Sequence, residues 1–195
     1  MPELHLTGDD PADELLSTDP FALLMGMLLD QQFPMERAFH SPYDLQQRLG
    51  GTLDPAAIAE HDPEGLVRVF AGPPALHRYP GSMAGRTQAL ARALVEDYDG
   101  SASALWETAD SGRELYRRLK ALPGFGDQKA RIFVALLAKR LGVQPPGWQE
   151  AAGVYADDGF YSVADIVSPE TLAQVRAYKQ AKKAAAKAAQ ADPTV

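Results

Sequence analysis

An all-α fold is predicted for this 195-residue chain, on three observations. A capping residue followed by proline recurs at Asp19-Pro20, Ser41-Pro42, Asp54-Pro55, Asp62-Pro63 and Ser168-Pro169. Such pairs start helices because the side-chain oxygen accepts a first-turn N–H, while proline has no N–H to leave unpaired. Apolar residues between these starts recur at helical spacing. No stretch alternates long enough to build a sheet, a few residues around Phe160–Val163 excepted.

The elements follow in order. Asp19-Pro20 opens FALLMGMLLDQQ, in which Phe21, Met25, Leu28 and Gln32 share one face while Leu23, Leu24, Met27 and Leu29 cover much of the rest. This helix is expected to be central and buried on most sides, which makes its polar end notable. Short helices are predicted near 42–49, 55–60 and 63–70. Pro80-Gly81 ends a loop, and Ser82 opens a helix to about Asp97 with Met83, Leu90 and Leu94 on its apolar face. A short helix follows at 102–108, and Ser111-x-x-Glu114 is a capping box for 112–121. After the turn LPGFG, Ile132 with Leu136 and Ala135 with Lys139 mark a helix at 127–141. Pro145-Pro146-Gly147 breaks the pattern, 148–165 is irregular or briefly helical, and Ser168-Pro169 starts a long last helix. Its end, KQAKKAAAKAAQ, has helix propensity but few core anchors, so fraying is expected.

The length favours one compact unit or two closely joined lobes. Cysteine is absent, which excludes disulfides, thiolate catalysis and cysteine-ligated iron–sulfur clusters. His5, His40, His61 and His77 are scattered, with none four residues from another, so no metal site is expected. No apolar run reaches membrane-spanning length, and the opening MPELHLTGDD has neither a basic nor a hydrophobic segment; a soluble, intracellular protein is expected. The net charge is -7, but it is unevenly spread. Arg117, Arg118, Lys120, Lys129, Arg131, Lys139 and Arg140 face one acid, Asp127, between 115 and 142. Arg176, Lys179, Lys182, Lys183 and Lys187 have no acid among them between 171 and 190. These stretches carry +11 and leave -18 for the rest. Such asymmetry gives an acidic protein one polyanion-facing surface, or else a pair of solvated helices.

The turn at 122–126 decides more. Gly124 and Gly126 allow left-handed or closely approached backbone, Pro123 fixes one torsion, and Leu122 and Phe125 can pack inward. Unpaired N–H groups at the start of the following helix can bind a phosphate oxygen, with Arg117, Arg118, Lys129 and Arg131 adding attraction. LPGxG between two helices is a helix-hairpin-helix pattern; its structural alternative is a tight turn used only for packing.

On LPGFGDQKARIFVALL, the helix LLMGMLLDQQ about 90 residues before it and YPGSMAGRTQALARAL between them, the chain resembles the helix-hairpin-helix DNA glycosylase superfamily, as a divergent member without an iron–sulfur cluster. The resemblance implies a six-helix barrel domain at 20–141, with its hairpin motif at 112–141, packed against a second helical lobe of 1–19 and 142–195. Double-stranded DNA, damaged, would lie between them, and members extrude a base to cleave its N-glycosidic bond. Gln32 matches the family glutamine that occupies or reads the gap left by the extruded nucleotide, and Gln31 lies beside it. Leu122, Gly124, Phe125, Gly126, Gln128, Lys129 and Arg131 would form the DNA-binding hairpin. The resemblance implies no cofactor beyond a monovalent cation at the hairpin, and a monomer that is cytoplasmic and nucleoid-associated when bound to DNA.

The match departs where chemistry is expected. The Schiff-base lysine of bifunctional members is Gln128 here, and Lys129, about 100° further round the helix, is expected to meet phosphate or solvent. An amide forms no imine, so no lyase step is expected. Where the family carries its aspartate the chain has Pro146, Gly147 and Trp148. Asp157, Asp158, Asp30 and Glu150 compete for that role, and the absence of any such carboxylate is the remaining alternative. Trp148, Tyr155, Phe160 and Tyr161 could stack on a base or plug the space between lobes. Three functions stay open: a monofunctional glycosylase, a catalytically silent protein that recognises damaged or distorted DNA, and a structural or protein-interaction module.

Overall fold

The computed structural model describes residues 4–191. Its regular structure is helical: α1 (Asp10–Thr18), α2 (Pro20–Leu29), α3 (Met35–Arg48), α4 (Pro55–Glu60), α5 (Pro63–Ala71), α6 (Pro80–Tyr98), α7 (Ala104–Glu107), α8 (Gly112–Ala121), α9 (Asp127–Leu141), α10 (Trp148–Ala152) and α11 (Pro169–Ala191), with 3-10 turns at Gly153–Ala156 and Val163–Asp165. No described helix is long and apolar enough to cross a membrane.

Local chemistry explains most starts. Asp19 accepts the N–H groups of Phe21 and Ala22, Asp54 that of Ala56, Asp62 that of Gly65 and Ser111 that of Glu114. The same device, unrecognised in the sequence, starts α1: Asp9 accepts the Ala12 N–H, with Pro11 in the first turn. Three expectations need correction. Ser41-Pro42 does not start a helix; α3 runs through Pro42. The Ser41 hydroxyl donates to the carbonyl of Arg37, one turn back, and to that of Leu76. An interior proline costs about 3 kcal/mol. Phe39 and Leu45, both fully buried on this helix, offset it at about 1.5–3 kcal/mol each. Helix α6 begins at Pro80, earlier than Ser82, because proline fits the first helical position. No strand forms at 160–163, where Ser162 and Asp165 make a reciprocal capping box. The last helix runs to Ala191, with every residue from Ala181 onward exposed.

Two helices anchor the interior. Every residue of α2 from Phe21 to Leu29 is buried, packed between α1, α3 and α6. Helix α9 buries Ala130 and Ile132 to Ala138 against α8, α10 and the two 3-10 turns. The carboxyl end of α2 and the amino end of α9 meet through Lys129 and Leu28, and this junction positions the site.

Candidate functional site

The hairpin is held from beneath. Leu122 and Phe125 are buried, and the Phe125 ring meets Phe133 edge-on at 6.2 Å. Gly124 has φ +79°, and a Cβ there would lie 2.2 Å from Cδ1 of Leu28, so both torsion and contact demand glycine. Gly126 behaves differently: a Cβ on it would meet nothing, and no side chain caps α9. The turn therefore packs through its first glycine and leaves an open helix start at its second.

The buried end of α2 needs donors for its last carbonyls. Lys129 Nζ donates to Leu28 O at 2.7 Å and Gln31 Nε2 to the same oxygen at 2.8 Å. His77 Nε2 donates to Leu29 O at 3.0 Å and Gln31 O at 3.1 Å, while its Nδ1 accepts the Tyr79 N–H at 3.0 Å. These partners select the neutral imidazole protonated on Nε2. Burial accordingly pushes the His77 pKa below its ordinary 6.5, against the pull of the Leu29 and Gln31 carbonyls. Burial also lowers the Lys129 ammonium to about 8; Asp30 opposes the shift, and Arg86 and Lys179 add to it. The expectation that Lys129 meets phosphate or solvent is thus corrected. A cation at a buried helix carboxyl end answers the unpaired carbonyls and the helix dipole, which draws the side chain inward.

Beside this junction lies a cleft of about 790 Å³, within the range of about 300–1,000 Å³ usual for ligand sites. Its walls are the α2–α3 link with the first residues of α3, from Asp30 to Glu36, the first turn of α9 with Ile132, Arg78 before α6, and one face of α11. Arg78, Lys129, Arg176, Lys179 and Lys183 line it, against the acids Asp30 and Glu36. Lys179 Nζ lies 3.5 Å from Asp30 Oδ2, and Arg176 pairs with Glu36. A cleft this rich in cations suits an anionic ligand although the chain as a whole is acidic. Gln32 is exposed at its mouth with φ +51°, a left-handed conformation uncommon outside glycine. Gln31 is fixed instead, since Arg86 donates to its Oε1 at 2.8 Å.

Of the residues singled out from sequence, the structure brings Asp30, Gln31, Gln32, Gln128 and Lys129 together in this cleft. Gln128 donates from Nε2 to the Tyr155 hydroxyl at 3.1 Å. Glu150, Asp157 and Asp158 are exposed and do not line it. The Arg131 guanidinium pairs with Asp127, donates to Ala151 O at 3.0 Å and lies 4.9 Å from the Tyr116 ring. Arg118 is likewise occupied internally, by Glu114, Thr108 and the Leu105 carbonyl. Trp148, Tyr155 and Tyr161 pack on the core, Tyr161 against Tyr178 at 5.2 Å, whereas Phe160 is exposed. Sequence reasoning missed Arg78, Glu36 and the entry of Arg176 and Lys179 into the cleft. The acid-free run after Thr171 was a signal for the last two, but it carries no direction.

No protein-family model and no curated protein matches the chain. Among solved structures it is distantly similar to a trapped endonuclease III–DNA covalent intermediate, an estranged-adenine complex. Identity is 17% and the TM-score 0.44, over 73% of this chain and 78% of that one.

Proposed function

We propose that the protein binds double-stranded DNA across this cleft and hydrolyses the N-glycosidic bond of an extruded, damaged base, with Asp30 as its carboxylate. One observation carries the reading: Asp30 and the exposed, left-handed Gln32 stand together among five bases, beside an uncapped helix start. Arg78, Arg176, Lys179 and Lys183, with the open N–H groups, supply phosphate contacts, which orient a duplex without reading its sequence, while Lys129 stays on the Leu28 carbonyl. Gln32 is placed to enter the space an extruded nucleotide leaves. In the reaction, water adds to the sugar C1′ as the C1′–N bond breaks. The departing base takes the bonding electrons; the carboxylate offsets positive charge on the sugar and accepts the one proton that water loses, which ends on the departed base and leaves the carboxylate ionised again. No imine route competes, because Gln128 is an amide and Lys129 is committed to the Leu28 carbonyl. With the reading go the six-helix barrel, the second lobe and a monomer, as the family resemblance implies.

Base release followed by mass spectrometry tests it, on duplexes bearing uracil, oxidised pyrimidines, 8-oxoguanine mispairs or alkylated purines. One base is expected to be released, and Asp30→Asn to slow its release by about 100-fold or more with the fold intact. A second reading is non-catalytic recognition of distorted DNA, favoured by the engagement of Asp30 with Lys179. Salt-sensitive duplex binding with no release across the panel would establish that reading instead.

A further inference from the structure

Helix α11 is 23 residues long, about 35 Å, yet Val175 is its one fully buried residue. From Ala181 to Ala191 every residue is exposed. Beyond Glu170 this helix has no acid, and its cations are not scattered round it. At about 100° per residue, Arg176, Lys179, Lys183 and Lys187 fall within an arc of about 80°. Lys182 lies about 100° or more from both Lys183 and Lys187. Arg176, Lys179 and Lys183 line the cleft, so Lys187 continues the same stripe outward from it. Like charges four residues apart destabilise a helix in water. Two such steps follow one another here, from Lys179 to Lys183 to Lys187, with no carboxylate between them. At the inner end the stripe already holds anions, Glu36 on Arg176 and Asp30 on Lys179.

We infer that this face of α11 is a phosphodiester-binding arm, and that a DNA strand leaving the cleft runs along Lys183 and Lys187 while Lys179 exchanges Asp30 for a phosphate. The inference rests on the reading that the cleft holds DNA. Its consequence is that Asp30 is covered by its own chain until DNA arrives, because the cation that pairs with it is drawn away by the stronger anion. Phosphate oxygens then relieve the repulsion along the stripe.

The test measures duplex affinity of the full-length chain against salt concentration, with circular dichroism to check helix content. Each phosphate contact contributes about 0.9 to the slope of log K against log salt. Lys183→Gln/Lys187→Gln is expected to reduce the slope by about 1.8 and to weaken binding similarly for all sequences. Lys182→Gln, off the stripe, is expected to leave the slope within experimental error of the unaltered chain. Duplex binding with an unchanged slope in the double variant would overturn the arm, and the proposed function would then rest on Arg78, Arg176 and Lys179 as the cleft's phosphate contacts. An equal loss in Lys182→Gln would overturn it too, since diffuse charge would then account for the effect. If the unaltered chain binds no duplex at low salt, the proposed function falls and the arm with it.

Discussion

Helices α2 and α11 border the same cleft and are built in opposite ways. The first is ten residues long and buried throughout from Phe21; the second is 23 residues long and fully buries only Val175. In α2 the apolar sequence drives the helix inward, and its polar end is then pinned by Lys129, Gln31 and His77. In α11 propensity and one anchor make the helix, and charge rather than packing gives it a direction. The difference teaches that one wall of the cleft is fixed by the core, while the other can exchange partners at little cost to the fold.

The largest effect expected from breaking that contrast is at Leu28. It is wholly buried and lies under Gly124, so Leu28→Ala removes packing from α2 and the hairpin together. A loss of about 2–5 kcal/mol in urea unfolding is expected. A loss below about 1 kcal/mol would mean that the hairpin does not depend on α2.

A smaller, pH-dependent effect is expected at His77. Its folded pKa lies below the unfolded 6.5, so the unfolded chain binds the proton more readily. The stabilisation is complete above pH 6.5 and is lost as pH falls through the folded value. Protonation would also remove the acceptor for the Tyr79 N–H. His77→Gln keeps a donor for the α2 carbonyls without a titrating ring. The unaltered chain should therefore lose stability more steeply than this variant below pH 6.5. Parallel acid limbs would show that the imidazole is not what holds this end of α2.

The smallest effect on stability belongs to α11. Lys187 is exposed, and Lys187→Ala is expected to move the urea midpoint by the equivalent of about 0.5 kcal/mol or less. A larger destabilisation would mean that the outer half of α11 is packed, and the two walls would no longer differ.

Much of the fold was legible because its signals are local. Asp-Pro and Ser-x-x-Glu act within a few residues, and LPGFG marks its own turn. Where such a signal misled, at Ser41-Pro42, burial of Phe39 and Leu45 outweighed it. The site was legible in part. The end of α2 and the start of α9 were both singled out, yet nothing local shows that Lys129 turns inward, that Arg176 reaches Glu36 or that Lys179 reaches Asp30.

By itself, then, the sequence determined most of the helices and their order, the hairpin and the basic character of two stretches, since capping, proline geometry and residue charge need no distant partner. The tertiary structure decided which of these groups meet. Lys129 bonds a carbonyl 101 residues earlier, Lys179 reaches Asp30 across 149 residues, and His77 closes α2 from 48 residues away. These meetings follow from buried carbonyls and carboxylates that need partners, and packing brings those partners from wherever in the chain they lie.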